Sequence, residues 1–415
     1  MEQFQFKNAF IDQLAGVEQK RYVHELKIIK YLYISGLHSS ADICRHLRIS
    51  VPNAFSMLND LVEKNLIEKK GRGDSIGGRK PDLYGIKDDC FYVMAVEVGV
   101  YTTRMAIFNS VNENLTGVKE FSINLNNKSE TLDMLIAVIQ QFIKMSGINS
   151  QRLTGIGISM PGLVDSIQGI NYSYLNIGDQ SLVSLLEERL QKPVFIENDA
   201  NAIALAEYRL GIAQSKKEVL VLYLDLGIGL GMILNGKLYR GFAGFAGEFS
   251  HIQMVDDGKL CCCGKLGCLE TIASGAALVQ MAEEGIALGK SSIVLNQPSV
   301  KNSRLGVRKV VDAALSGDQY AIGIIAEAGT NIGKAISILI QVLNPEQIVL
   351  CGVMSEAGRY LTMPIQQAIQ THSMNQLSKH TKIELSKMGD EIGIKGALAV
   401  VMENVFEAVI KRAGR

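Results

Sequence analysis

Four of the seven cysteines fall within eight positions, Cys261 to Cys268, ten residues after His251 and just before Glu270. Three of them are sequence neighbours, and disulfide geometry disfavours bridges among such neighbours. The opening stretch MEQFQFKNAFIDQ has no basic region followed by an apolar run, and no stretch reads as an apolar membrane span. The expectation is therefore a cytoplasmic chain with reduced thiols and no membrane partner, in which clustered cysteines point to a metal. His251, Cys261, Cys263 and Cys268 fit a tetrahedral zinc site with three thiolates and one imidazole. The Cys-x-Cys spacing converges two thiolates, and Gly264 and Gly267 allow the turn that returns the third. Four protein ligands leave no open position for a catalytic water, so the Zn²⁺ would be structural and Cys262 should point away. The alternative is a run of small buried cysteines beside a core histidine.

The elements that must carry this loop belong to a 415-residue chain, long enough for two or three domains. Forty-two basic side chains balance 42 acidic ones, and 47% of residues are hydrophobic. That is ordinary globular composition. The zero net charge excludes a protein basic throughout, but not one with a single basic module.

The first 85 residues read as such a module. Residues 20–35 carry apolar side chains at helical spacing and end at Gly36; SSADICRHLRI follows as a short helix capped by Ser39 or Ser40. A third helix opens at Ser50, a good N-cap, with Pro52 in its first turn and Ala54, Met57, Leu58 and Leu61 on its inward stripe. The arrangement is a helix-turn-helix. LIEKKGRGDSIGGRKPDLYGI then reads as two strands around a glycine-rich wing. Residues 64–80 hold six basic side chains against two acids, a local charge of +4. Arg72, Arg79 and Lys80 on that loop suit phosphate contacts, and Ser50, Asn53 and Ser56 face outward from the third helix, where base edges are read. That helix has no outward arginine and hence no obvious bidentate guanine contact. The alternative is a helical interaction module with a solvated basic loop. A winged helix covers a short site, so a homodimer or homotetramer on palindromic operator DNA is expected.

After Tyr84 the pattern changes. FYVMAVEVGVYTTRMAIFNS is a strand, a turn and a second strand, and EVLVLYLDLGIGLGMILNGKLYRG repeats that plan from residue 218. Two such openings predict a duplicated α/β architecture with a cleft. The expected parts are the winged module 1–85, a first lobe 86–208 joined by the closing helix 396–415, and a second lobe 209–395 bearing the zinc loop.

The runs GISMPGLVD (157–165), ENDAN (197–201), LGIGLGMILNGKLYRGFAGFAGEFSH (226–251) and CCCGKLGCLET (261–271) carry a resemblance to the ROK family, over about residues 18 to 410. The wing run GGRKP resembles its NagC- and Mlc-like regulators. The resemblance implies the actin-like sugar-kinase fold and the same zinc set. It further implies a sugar or sugar phosphate effector held by Asn198, Asp199, Glu248, His251 and Glu270, with the Pro161-Gly162 loop beside them. Carboxylates and an amide are apt partners for vicinal hydroxyls. Glu270 could instead merely cap a helix, and Asn198 with Asp199 could be an ordinary N-cap pair.

In catalytic members of the family, the counterpart of Asp199 is the general base. The resemblance also aligns Glu97-Val98-Gly99-Val100-Tyr101 with a first phosphate loop that reads Asp-x-Gly-Gly-Thr, and Ile228 with a threonine of the second. Two hydroxyl donors and one close backbone approach are lost, whereas Gly227, Gly229 and Gly231 remain. The expectation is a sugar-responsive repressor of carbohydrate genes. The alternatives are an ATP- and Mg²⁺-dependent hexose or N-acetylhexosamine kinase with Asp199 catalytic, and a regulator answering to a protein partner.

Overall fold

The computed structural model describes residues 14, 16–73, 80–292 and 304–413. The chain divides into two compact units, residues 1–197 with 397–415, and residues 198–396.

The first unit opens with the helical module. Helix α1 (Val17–Ser35) stops at Gly36, whose φ of 81° few other residues tolerate. Strand β1 (His38–Ser39) leads into α2 (Ser40–Leu47), where Ser39 and Asp42 form a reciprocal capping box. The turn at Arg48, in the left-handed region, sets up α3 (Val51–Glu63). Ser50 stands at its N-cap with extended backbone, but its side chain makes no capping hydrogen bond. The inward stripe of Ala54, Met57, Leu58 and Leu61 is buried, as the spacing predicts. Strands β2 (Ile67–Arg72) and β3 (Asp82–Ile86) pair antiparallel, and β1 adds a third strand in the order β1-β3-β2. The Gly73 N–H donates to the Pro81 carbonyl at 2.9 Å across the base of the wing. Arg79 lies outside the described residues.

The remainder of this unit is built on a five-stranded sheet. It comprises β4 (Tyr92–Val98), β5 (Thr102–Asn109), β6 (Lys119–Ser122), β7 (Leu153–Met160) and β10 (Val194–Asn198), in the order β10-β7-β4-β5-β6. A small hairpin, β8 (Val164–Asp165) with β9 (Ile170–Asn171), lies between β7 and the helix α5 (Leu182–Leu190). Apolar residues of α4 (Ser129–Met145) and α5 cover the sheet. Every residue of β7 is buried, which is why that run is apolar without alternation.

The second unit repeats the plan. Helix α6 (Asp199–Leu210) precedes β11 (Val219–Leu224), β12 (Ile228–Leu234), β13 (Lys237–Leu238), β14 (Gln347–Cys351) and β15 (Lys382–Leu385), ordered β13-β12-β11-β14-β15. In each sheet an antiparallel hairpin, β4/β5 or β11/β12, is extended by a parallel strand, β7 or β14, beside its first member. That correspondence is the expected duplication. The helices are α7 (Glu270–Ala273), α8 (Gly275–Ala287), α9 (Arg304–Leu315), α10 (Gln319–Leu343), α11 (Arg359–His372) and α12 (Asn375–Ser378).

Contrary to the expectation that no stretch reads as an apolar span, helix α10 is long and apolar enough to cross a membrane by length and composition. Half of its apolar window is buried, and Ile324, Ile332, Ile336 and Ile340 belong to the core of the second unit. It crosses α11 closely because Gly329 and Gly333 stand against the Leu361 and Ile365 carbonyls, at 2.9 and 2.6 Å from where a Cβ would be.

The closing helix α13 (Ile392–Ala413) belongs to the second unit through Gly396 and to the first from Ala397. Within the first unit a Cβ on Gly157 would lie 2.2 Å from the Ala397 carbonyl, so the glycine lets helix and strand β7 meet. Phe406 of α13 packs edge-to-face with Tyr33 of α1 at 5.7 Å and with Phe91 at 5.6 Å; Tyr33 and Phe91 close the triangle at 5.1 Å. Lys30 pairs with Glu407 beside it. These contacts seat the helical module on α13.

Candidate metal centre and sugar site

The loop between β13 and α7 has little regular structure beyond a short 3-10 turn at Phe249–His251 and two isolated bridges, Gln253 with Cys268 and Leu260 with Leu266. Its shape rests on glycines: Gly267 has φ of 70°, and a Cβ there would fall 1.7 Å from the Val255 carbonyl. The four predicted ligand atoms, from His251, Cys261, Cys263 and Cys268, all lie within 4.8 Å of one another. Cys261 Sγ is 3.5 Å from His251 Nδ1, and Cys263 Sγ is 3.6 Å from Cys268 Sγ. A tetrahedral zinc with bonds of about 2.3 Å to sulfur and about 2.05 Å to nitrogen has edges of roughly 3.6 to 3.8 Å. The donor set and spacing therefore fit the ion. Cys262 is exposed and is not one of the four. Lys265 donates to the His251 carbonyl at 2.7 Å, a loop-closing contact the sequence does not reveal.

The ring of His251 has two faces. Nδ1 turns to the thiols, while Nε2 lies 3.8 Å from Glu248 Oε2. The Glu248 side chain is 47% exposed, open enough for a ligand to reach. Partial burial lifts its carboxyl above the ordinary value, and His251 opposes that shift. Glu270 begins α7 two residues after Cys268. It accepts from the Ile228 N–H at 3.2 Å. Burial raises its carboxyl, hydrogen bonds from Ile228 and Ser250 lower it, and neighbouring Glu248 raises it again. Thus Glu248, His251 and Glu270 form one polar group, with Ser250 an addition.

Asn198 and Asp199 begin α6. Asn198 Oδ1 accepts from the backbone of Ala200 at 3.0 Å and of Asn201 at 3.3 Å, so it is the N-cap of that helix. Asp199 Oδ1 accepts from Ala200 at 2.8 Å. Helix α6 lies directly on β12: Cβ atoms on Gly229 and Gly231 would stand 2.6 and 2.4 Å from the Cβ atoms of Ala200 and Ala204. Those two glycines, retained from the phosphate-loop pattern, are thereby accounted for by helix–strand packing. Gly227 faces Glu270, whose Oε1 is 3.1 Å from where a Cβ would be.

In the first unit, the Glu97 that takes the place of the phosphate-loop aspartate pairs with its cross-strand partner Arg104 at 3.0 Å. Tyr101 at the tip is exposed. The Pro161-Gly162 turn is closed by Asn171, which donates to the Pro161 carbonyl at 2.9 Å.

On the module, Ser50, Asn53 and Ser56 are exposed, as are Arg72 and Lys80. Three other basic residues of the wing region are engaged: Lys64 with Glu25 at 2.8 Å, Lys69 with Asp82 at 2.8 Å, and Lys70 with Glu68 and Asp88 at 3.2 and 2.9 Å. Arg72 and Lys80 flank the base of the wing, where Gly73 and Pro81 meet.

Two sheets of identical plan, with a Cys₃His loop after the second hairpin, define a protein of the actin-like sugar-kinase fold. The chain belongs to the ROK family, whose model matches residues 93–404. The xylose repressor of Caldicellulosiruptor bescii is 26% identical over 391 residues, covering 93% of this chain and 97% of that protein. A glucokinase of Halalkalibacterium halodurans is 33% identical over 328 residues, covering 77% of this chain and 98% of its own. A crystal structure of a ROK family transcriptional regulator, a homolog of the E. coli MLC protein, superposes with a TM-score of 0.80 at 25% identity, covering 96% and 100% of the two chains.

Proposed function

We propose that this chain is a sugar-responsive DNA-binding transcriptional repressor of carbohydrate genes, with a structural zinc and without useful kinase activity. The observation that carries the reading is the helix-turn-helix module on the chain that bears the sugar-kinase-type units. The repressor relative covers 93% of the chain, module included, whereas the glucokinase covers 77% and the family match begins at residue 93.

His251, Cys261, Cys263 and Cys268 would hold the zinc, whose role is to fix the loop. The chain's own residues do the rest. With Nδ1 on the metal, His251 presents Nε2 beside Glu248, and Cys268 sets the position of Glu270. Those carboxylates, with Asp199 and the amide of Asn198, would accept and donate to sugar hydroxyls. The carboxylates of Glu248 and Glu270 beside His251 favour an uncharged sugar over a phosphorylated one at these contacts.

Three features argue against phosphoryl transfer. Glu97 is neutralised by Arg104, the Ile228 N–H is taken by Glu270, and Gly229 and Gly231 serve packing. Phosphoryl transfer needs backbone and hydroxyl donors aimed at the phosphates. The second reading, an ATP-dependent hexose kinase with an appended module, draws support from the retained Asp199 and from the glucokinase relative.

DNA reading is assigned to Ser50, Asn53 and Ser56 and phosphate contact to Arg72, Arg79 and Lys80, in an even-numbered oligomer. The test has two arms. Duplexes selected from a randomised pool by the purified chain are assayed for binding with and without each sugar of a hexose panel, and the same panel is run in a coupled ADP-release assay. A sugar-dependent change in DNA affinity without ADP release supports the reading; ADP release without specific DNA binding defeats it.

A further inference from the structure

The outward face of α3 offers no arginine of its own, yet one lies upon it. Arg21, on α1, donates from Nη2 to Ser56 Oγ at 3.1 Å and pairs with Asp60, both on α3. Its Nε lies 3.5 Å from Glu25 Oε1. Glu25 is 2% exposed, and its second oxygen takes Lys64 at 2.8 Å, so the carboxylate is itself anchored. Ser56 sits opposite the buried stripe of Ala54, Met57, Leu58 and Leu61, which puts the guanidinium on the solvent side of the helix.

We infer that Arg21 is a base-reading residue of the DNA surface, directed at a guanine edge in the major groove. The inference rests on the reading of α3 as the recognition helix. A guanidinium carries five N–H donors. Those on Nε and Nη2 face Glu25, Ser56 and Asp60, which leaves the pair on Nη1 without a hydrogen bond among the described residues. Those N–H groups can donate to the O6 or N7 acceptor of a guanine edge. The anchoring also decides between base and phosphate. Glu25 and Asp60 cancel the charge of Arg21 and Lys64 locally, so attraction to the DNA backbone is weak there. They fix the direction of the guanidinium, which is what sequence discrimination needs.

The test uses the full-length chain and a duplex that the wild type selects from a randomised pool, with a scrambled duplex of the same length beside it. Arg21→Gln should weaken binding to the selected duplex about 5- to 150-fold and leave the scrambled duplex and the salt dependence nearly unchanged; Arg21→Lys should not restore the loss. Retained binding to scrambled DNA shows that the module is folded. Asp60→Asn keeps an acceptor for Arg21 and removes a negative charge, so affinity for both duplexes should rise. Equal losses on both duplexes with a shallower salt slope would make Arg21 a phosphate contact and overturn the inference, as would no loss at all. A fall with Asp60→Asn matching that of Arg21→Gln would reduce the pair to a structural clamp and also overturn it. A wild type that selects no duplex would defeat the recognition-helix reading itself, and the inference with it.

Discussion

Cys263→Ser is the sharpest perturbation of the metal loop. Cys263 Sγ stands 3.6 Å from Cys268 Sγ, on an edge of the tetrahedron, and the exposed neighbour Cys262 lies outside the set. Structural zinc in four-ligand peptides binds with about 10–16 kcal/mol. Shared evenly, each ligand contributes about 2.5–4 kcal/mol, so losing one thiolate should weaken zinc binding roughly 10²- to 10³-fold. The loop between β13 and α7 has no helix or strand beyond the short 3-10 turn and two isolated bridges, and Cys268 is two residues from Glu270. The variant should therefore also lose sugar affinity. Metal content after native purification and competition with a chromophoric chelator read the first effect. About one zinc per chain is expected for wild type and Cys262→Ser, and far less for Cys263→Ser under chelator. Wild type without zinc, or equal loss in the two variants, would refute the assignment.

Three further outcomes follow from the packing. Tyr33 Oη is buried with no hydrogen-bond partner among the described residues, so Tyr33→Phe should stabilise the chain by about 1–3 kcal/mol, read by calorimetry; destabilisation would reveal a partner. Gly231→Ala should cost about 1–3 kcal/mol in the same assay, because its Cβ would meet Ala204 and the Ala200 carbonyl at 2.4 and 2.5 Å; no loss would reopen a phosphate role for this glycine. Burial raises the Glu207 carboxyl, against hydrogen bonds from Ser386 and the Ile212 N–H and the charge of Lys395. The folded chain then binds the proton more tightly than the unfolded one, and this stability is present below the unfolded pKa and lost as pH rises through the folded value. Glu207→Gln should accordingly melt above wild type at pH 8 and lose that advantage toward pH 4; an advantage that grew on acidification would contradict the account.

What the sequence made legible was local. The cysteine spacing, the Ser39 capping region and the stripe of α3 are fixed by neighbours a few residues apart, and the repeated hairpins announce the duplication. What it hid depends on distant partners. Arg21 and Ser56 are 35 residues apart, and no periodicity links them. The wing lysines count as free charges in a sequence, but Glu25, Asp82 and Asp88 engage three of them. Gly229 and Gly231 match a phosphate-loop pattern, yet the reason for them is a helix pressed on the strand, which composition does not show. Asn198 caps its helix through the side-chain oxygen, the ordinary role that its place before the helix allows.

The central claim is that a sugar bound at the Glu248 site changes DNA binding and is not turned over. It is tested most directly by titrating the selected duplex against wild type and Glu248→Ala, with and without the active hexose and in the presence of ATP and Mg²⁺. A sugar can act only through unequal affinity for two states of the protein, with a typical coupling of about 5- to 150-fold. The account predicts such a change in wild-type affinity, no sugar phosphate, and a Glu248→Ala chain that binds the duplex as wild type does without sugar and ignores the hexose. Sugar phosphate formed at roughly 1–100 per second, with DNA affinity indifferent to the sugar, would contradict it.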